Sequence, residues 1–205
     1  MDSSVVQGKA AAALQRALAD AHRLRFAPGL EHRFRQQVAG EFAASCWSVV
    51  LPVCALVLVF AAFDLYYFDA DVLRSSLVVR LGVQIPTLIC AALLLRSARF
   101  DLLVVPVVVT TVLVLGCGSI LVDMFAVADG RVPPTHVGLM FITFGTYLLV
   151  GLRWAVATCT ALTLMLLWLM TGLAGGVPSS HLIEGGVFLL VANVLAALAG
   201  YRLEL

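Results

Sequence analysis

Residues 102–122 read LLVVPVVVTTVLVLGCGSILV, from Leu102 to Val122 without one charged side chain. A helix rising ~1.5 Å per residue needs about 20 such residues to cross ~30 Å of hydrocarbon, and this run has that length. Similar stretches lie on both sides of it: Ala43–Phe63, Leu77–Leu95, Val137–Val150, Ala155–Leu173 and Leu182–Gly200. The fourth of the six is short in its cleanest part and starts nearer Pro134, so it is taken as 135–150. All six are continuously apolar rather than alternating, which points to helices and not to a barrel. The chain is 62% hydrophobic and 12% charged, where a soluble domain carries roughly a quarter charged residues. The bilayer must therefore act as its solvent. The expected fold class is all-α: a polytopic membrane protein, a six-transmembrane-helix bundle spanning 42–205 behind a cytoplasmic N-terminal amphipathic segment, 1–41.

Charge sets the expected orientation. Lys9, Arg16, Arg23, Arg25, Arg33, Arg35, Arg96, Arg99, Arg153 and Arg202 fall on one side of the six spans, against Arg74, Arg80 and Arg131 on the other. The excess of Lys and Arg places both termini in the cytoplasm. The net charge of +1 carries no information; the asymmetry does. The N-terminal stretch is not a signal peptide, because its polar, basic start is too long and no small-residue cleavage site follows. Lys9 to Arg25 reads as a helix with Leu14, Leu18, Ala21 and Arg25 on one stripe, interrupted by Pro28-Gly29 and resuming over Glu31–Glu41. It suits the inner leaflet surface; a frayed tail is the plainer alternative.

No catalytic motif is present: no GxSxG, no HExxH, no phosphate-binding glycine loop. Cys46, Cys54, Cys90, Cys117 and Cys159 lie in or beside spans without CxxC spacing and read as buried small hydrophobes. Gly116-Cys117-Gly118 reads as close helix packing, and Ala192, Ala196 and Gly200 form a small-residue row for a helix–helix or dimer contact. Pro52, Pro86 and Pro106 lie within spans and suggest kinks or hinges.

The informative polar residues gather at the outer ends of the spans. Asp64 ends the first, Arg80 lies about one turn into the second, Asp123 ends the third and His136 opens the fourth. His181 and Glu184 open the sixth, with Asn193 deeper. Ionisable groups in membrane helices face the bundle interior or a water-filled cavity. Arg80 calls for a partner, and either Asp64 or Asp123 is in reach. These seven residues are the candidate ligand-binding cluster, an outward-facing pocket for a small amphiphilic or polar ligand. The alternative is a set of interfacial residues that tie helix ends together. Asp123, His136, His181 and Glu184 are ligand types for a metal, but their spacing does not support a metal site. No cofactor, catalytic residue or nucleic-acid partner is expected.

Several of these pieces resemble one family. Phe26-Ala-Pro-Gly-Leu-Glu31-His-Arg-Phe34 is similar to the F-x-P-x-L-E-x-x-F lead-in of a six-helix membrane sensor region at the N-terminus of bacterial GGDEF diguanylate cyclases. Phe63-Asp64, Leu77–Gln84 (LVVRLGVQ), Gly151-Leu-Arg153-Trp154 and Gly200-Tyr-Arg-Leu-Glu204 match other parts of it. Gly200 stands where the family has Asn. Related anchors occur on class III adenylyl cyclases and sensor kinases. The resemblance implies a bacterial inner-membrane location, a homodimer, and a sensor that controls a C-terminal cyclic di-GMP-forming domain absent from this chain. A class III adenylyl cyclase sensor, a small transporter or channel, and a passive dimeric anchor are the alternatives.

Overall fold

The computed structural model describes residues 28–96, 104–130, 136–148 and 154–204, with side chains from Trp47 onward except at His136, Leu148, Leu203 and Glu204. The basic stretch Lys9–Arg25 lies outside the described residues. Among the described residues every regular element is a helix: α1 Pro28–Tyr67, α2 Ala70–Arg96, α3 Val104–Ala128, α4 His136–Leu148, α5 Trp154–Ala174 and α6 Ser179–Glu204. Five of these are long and apolar enough to cross a membrane; α4, with 13 residues, is shorter. Its rise is about 20 Å, below the hydrocarbon thickness, so of the six full-length spans expected, five are found at spanning length and the fourth is a shorter apolar helix.

The helix ends follow from local chemistry. Pro28 opens α1 at the position where a missing N–H costs nothing. Pro106 falls in the first turn of α3, where its N–H would be unpaired anyway, so it does not interrupt that helix. At the end of α5, Gly176 takes φ 73°. Its N–H bonds Leu173 O at 3.3 Å and the N–H of Val177 bonds Gly172 O at 3.0 Å. That is a Schellman closure, which needs the left-handed conformation glycine adopts freely.

Packing is close where residues are small. A Cβ on Gly116 would lie 2.3 Å from Leu164 Cδ2 of α5, and one on Gly118 would lie 2.8 Å from Gln84 Nε2 of α2. The two glycines thus seat α3 against two different neighbours. Ala192, Ala196 and Gly200 are all buried within the bundle. Gly200 lies against the Tyr147 ring of α4, where a Cβ would be 3.1 Å from Cδ1, so the small-residue row is used inside the chain. Leu51, Leu58, Leu166, Leu173, Val194 and Leu198 point outward, as expected where lipid is as apolar as leucine. α3 is the most enclosed of the long helices and α1 the least.

Hydroxyls in the helices satisfy themselves. Thr111, Ser119, Thr146, Thr158, Thr160, Thr163 and Thr171 each donate to the carbonyl four residues earlier, which keeps polar atoms paired where water is absent.

Candidate functional site

One end of the bundle gathers the last turns of α1 and α3, the first half of α2 and the start of α4. α2 begins at Ala70 rather than Leu77, seven residues earlier than its apolar pattern suggests. It is not a uniform α-helix. Arg80–Gln84 forms a π-helical turn, closed by the N–H of Ile85 bonding Arg80 O, five residues back. Pro86 follows at once; it has no N–H and its ring crowds the carbonyl four residues earlier, at Gly82, so a wider turn there relieves the clash.

The π turn also resolves a mismatch of faces. Val72, Ser76 and Val79 are buried before it, and Leu88, Ala91, Ala92 and Leu95 after it. At about 100° per residue the second stripe is rotated by roughly one residue from the first. One extra residue in the turn restores the alignment, and the turn itself presents Arg80 and Gln84 to the interior.

There Arg80 meets Asp64 side-on. Nε donates to Oδ2 and Nη2 donates to Oδ1 at 3.2 Å. The hydroxyl of Ser76, one turn earlier on α2, donates to the same Asp64 Oδ2. Both charges are nearly enclosed, Arg80 being 8% and Asp64 6% exposed. The guanidinium carbon sits 5.5 Å from the centre of the Phe60 ring, within cation–π range. Phe60 in turn packs edge-on against Phe141 of α4, with centroids 6.1 Å apart, so the ion pair is tied to three helices.

One turn beyond Arg80, Gln84 is 1% exposed. Its Nε2 donates to Leu115 O at 2.9 Å, and Ser119 Oγ donates to that carbonyl at 3.1 Å. Gln84 Oε1 has no hydrogen-bond partner among the described residues. Gly118 makes room for this side chain, since any Cβ there would strike it.

Above the pair lies a cavity of about 220 Å³. Asp64 and Arg80 form one wall, Ser119, Val122 and Asp123 of α3 another, and Val137 and Gly138 of α4 a third. Phe60, Phe63, Tyr67 and Phe68 complete the lining.

Of the seven candidate residues, the structure brings Asp64, Arg80 and Asp123 together around this cavity. Arg80 pairs with Asp64, the first of its two possible partners. The side chain of His136 lies outside the described residues, although its neighbour Val137 lines the cavity. His181 and Glu184 are exposed at the start of α6 and do not line it. Asn193 is buried away from it and donates to Leu189 O of its own helix at 2.8 Å. Among the described residues no three His, Cys, Asp or Glu side chains converge as metal ligands would. Ser76, Ser119 and the aromatic wall are additions to the expected set. Their only signal was position: Ser76 stands four residues before Arg80, on the same face of the helix.

No protein-family model matches the chain, and no curated protein matches it.

Proposed function

We propose that the chain is the membrane-embedded sensing domain of a signalling protein. In this reading all six helices cross the bilayer with both termini cytoplasmic. A small ligand enters the cavity at the outer end, and a displacement of α6 reaches a cytoplasmic output domain. A diguanylate cyclase is the favoured output, on the resemblance of the lead-in and exit motifs alone. The observation that carries the proposal is the buried, doubly bonded Arg80–Asp64 pair in the wall of a 220 Å³ cavity. Charges held at that depth are costly, and in membrane proteins they mark functional interiors. The π turn at the same place is a second feature that concentrates at functional sites.

The short α4 supports the six-crossing reading. Its start lines the cavity through Val137 and Gly138, and its last turn brings Tyr147 against Gly200 near the far end of α6. These contacts, one at the cavity and one toward the C-terminal part of α6, favour a crossing over a surface-lying helix.

The test uses the natural full-length protein in its own membrane. Arg80→Lys keeps the charge but loses the side-on fork. It is expected to change cyclic di-GMP output at unchanged protein level, read by mass spectrometry of cell extracts. Replacing the helices with an unrelated dimeric membrane anchor should abolish regulation. Unchanged regulation after that swap would make the domain a passive anchor.

A further inference from the structure

We infer that the groove between α2 and α3 binds a neutral alcohol dissolved in the bilayer: a hydroxyl group carried on an apolar body. The groove shares no residue with the cavity and does not depend on the sensory reading.

The argument begins with hydrogen bonds that α2 does not close. In a helix the carbonyl of residue i accepts from the N–H of residue i+4, or of residue i+5 in a π turn. For Leu81 O those donors are residues 85 and 86. Ile85 gives its N–H to Arg80 O, and Pro86 has none. For Gly82 O the ordinary donor is Pro86 itself. One proline at the exit of a π turn thus takes the regular partner from two consecutive carbonyls. Among the described residues no side chain is bonded to either. Both sit on the outward face, where Leu81 is 45% and Val83 44% exposed. Gly82 between them is exposed too and has no side chain to cover the backbone.

Depth makes the gap costly. Gly82 is twelve residues from Ala70, and Pro86 is ten from Arg96. At ~1.5 Å per residue each lies about 15–18 Å from its end of the helix. No bulk water serves a backbone group at mid-membrane, and an unpaired one is disfavoured there.

Gly82 and Pro86, the two sides of the missing bond, both line a groove of about 490 Å³. Thr87 and Cys90 of α2 and Pro106 and Thr110 of α3 are among its other walls. Its size lies within the range of small-molecule sites, roughly 300–1,000 Å³. The carbonyls need a donor. An ammonium would carry its charge into the hydrocarbon, which is costly. An ether or ester offers only acceptors. A neutral hydroxyl donates to a carbonyl, and its oxygen accepts from the threonine hydroxyls of the same walls. A phospholipid is held at the surface by its headgroup. The occupant is therefore a molecule that sinks whole into the hydrocarbon, a long-chain or ring alcohol.

The experiment uses the purified 205-residue chain in phosphatidylcholine nanodiscs, with hexadecanol carrying a diazirine along its chain. Irradiation, proteolysis and mass spectrometry map the labelled peptides. Label should concentrate on 82–94 and 106–111. Unlabelled 1-hexadecanol should displace it about five- to tenfold better than hexadecyl methyl ether, which lacks only the donor; that ratio is the worth of about one hydrogen bond. Pro86→Ala returns an N–H to the gap and should weaken labelling several-fold without lowering the unfolding temperature. Gly82→Leu should abolish it by filling the groove. Its Cβ would meet nothing nearer than Val78 Cγ1 at 4.0 Å, so the fold tolerates the change. Even labelling along the outward faces of α5 and α6, equal displacement by the ether, or labelling indifferent to both substitutions overturns the assignment. With the other cysteines replaced, a disulfide between the Cys90 thiols of two copies in place of labelling would give the groove to a second copy and overturn it likewise.

Discussion

Arg80 is the residue on which most of the site depends, and its burial makes the consequence of losing it directional. Arg80→Leu would leave Asp64 enclosed with only the Ser76 hydroxyl and the solvent of the cavity. Breaking one side of a buried pair costs about 3–5 kcal/mol, whereas removing both charges with apolar residues of similar volume is often near neutral. Thermal unfolding in detergent should therefore show Arg80→Leu well below the parent and the double variant Arg80→Leu/Asp64→Leu recovering most of the loss. Equal stability of single and parent proteins would mean the pair contributes nothing. Asp64 and Arg80 were legible in the sequence because charges inside apolar runs are rare enough to demand partners. His181 and Glu184 were less informative, because residues at a span end reach water at little cost and their grouping has no geometric force. Gln84 is a polar residue within an apolar run, but its bond to Leu115 O crosses to another helix, and no spacing within one chain segment announces such a contact.

At the scale of the element, α2 is the informative case. Its apolar pattern marks a span, and the shift between its two buried stripes was present in the sequence. A shift of that kind reads as noise until the buried side of each half is known. The π turn behaves as a single inserted residue, which predicts unequal tolerance to deletion. Removing Val83, which points outward within the turn, should convert it to regular α-helix and keep both stripes aligned. Removing the equally outward-facing Leu121 of α3 rotates Val122, Asp123 and Ala126 away from the core. Expression as a folded species, read by size-exclusion chromatography, should survive the first deletion and fail after the second. Similar outcomes would show that the turn is not an insertion. Gly116 offers a parallel test between elements. Gly116→Ala drives a methyl into Leu164 and should cost about 1–3 kcal/mol by overpacking, with Leu164→Ala relieving much of it. Additive losses in the double variant would place the two residues out of contact.

For the whole molecule, helical class and the five helices of spanning length were readable because a bilayer imposes length and hydrogen-bond closure on a crossing segment, while the fourth stretch is a shorter apolar helix. The arrangement of helices was not, because in lipid nearly every face of these helices is apolar and periodicity gives no inward direction. Only the glycines and alanines show which faces meet, and they do so after the neighbours are known. The sidedness of Lys and Arg predicts that Asp129, in the turn after α3, and Arg202, near the end of α6, lie on opposite sides of the membrane. In a background without the native cysteines, Asp129→Cys should react with an impermeant maleimide on intact cells. Arg202→Cys should react only after permeabilisation. The reverse pattern would invert the orientation.

α1 and α2 are separated by Phe68 and Asp69 alone, and the Asp64–Arg80 pair bridges them just beside that connection. This bears on biogenesis. A ribosome delivering α1 alone would offer the membrane an unpaired carboxylate, and α2 alone an unpaired guanidinium, each disfavoured, though near a span end by less than the roughly 2.5–3.5 kcal/mol that a charge costs at the helix centre on insertion scales. Released together as a hairpin, the two helices enter already neutralised. The translocon would therefore hold α1 until α2 has emerged, and the first committed step of assembly would be a two-helix unit rather than a single strand of the bundle.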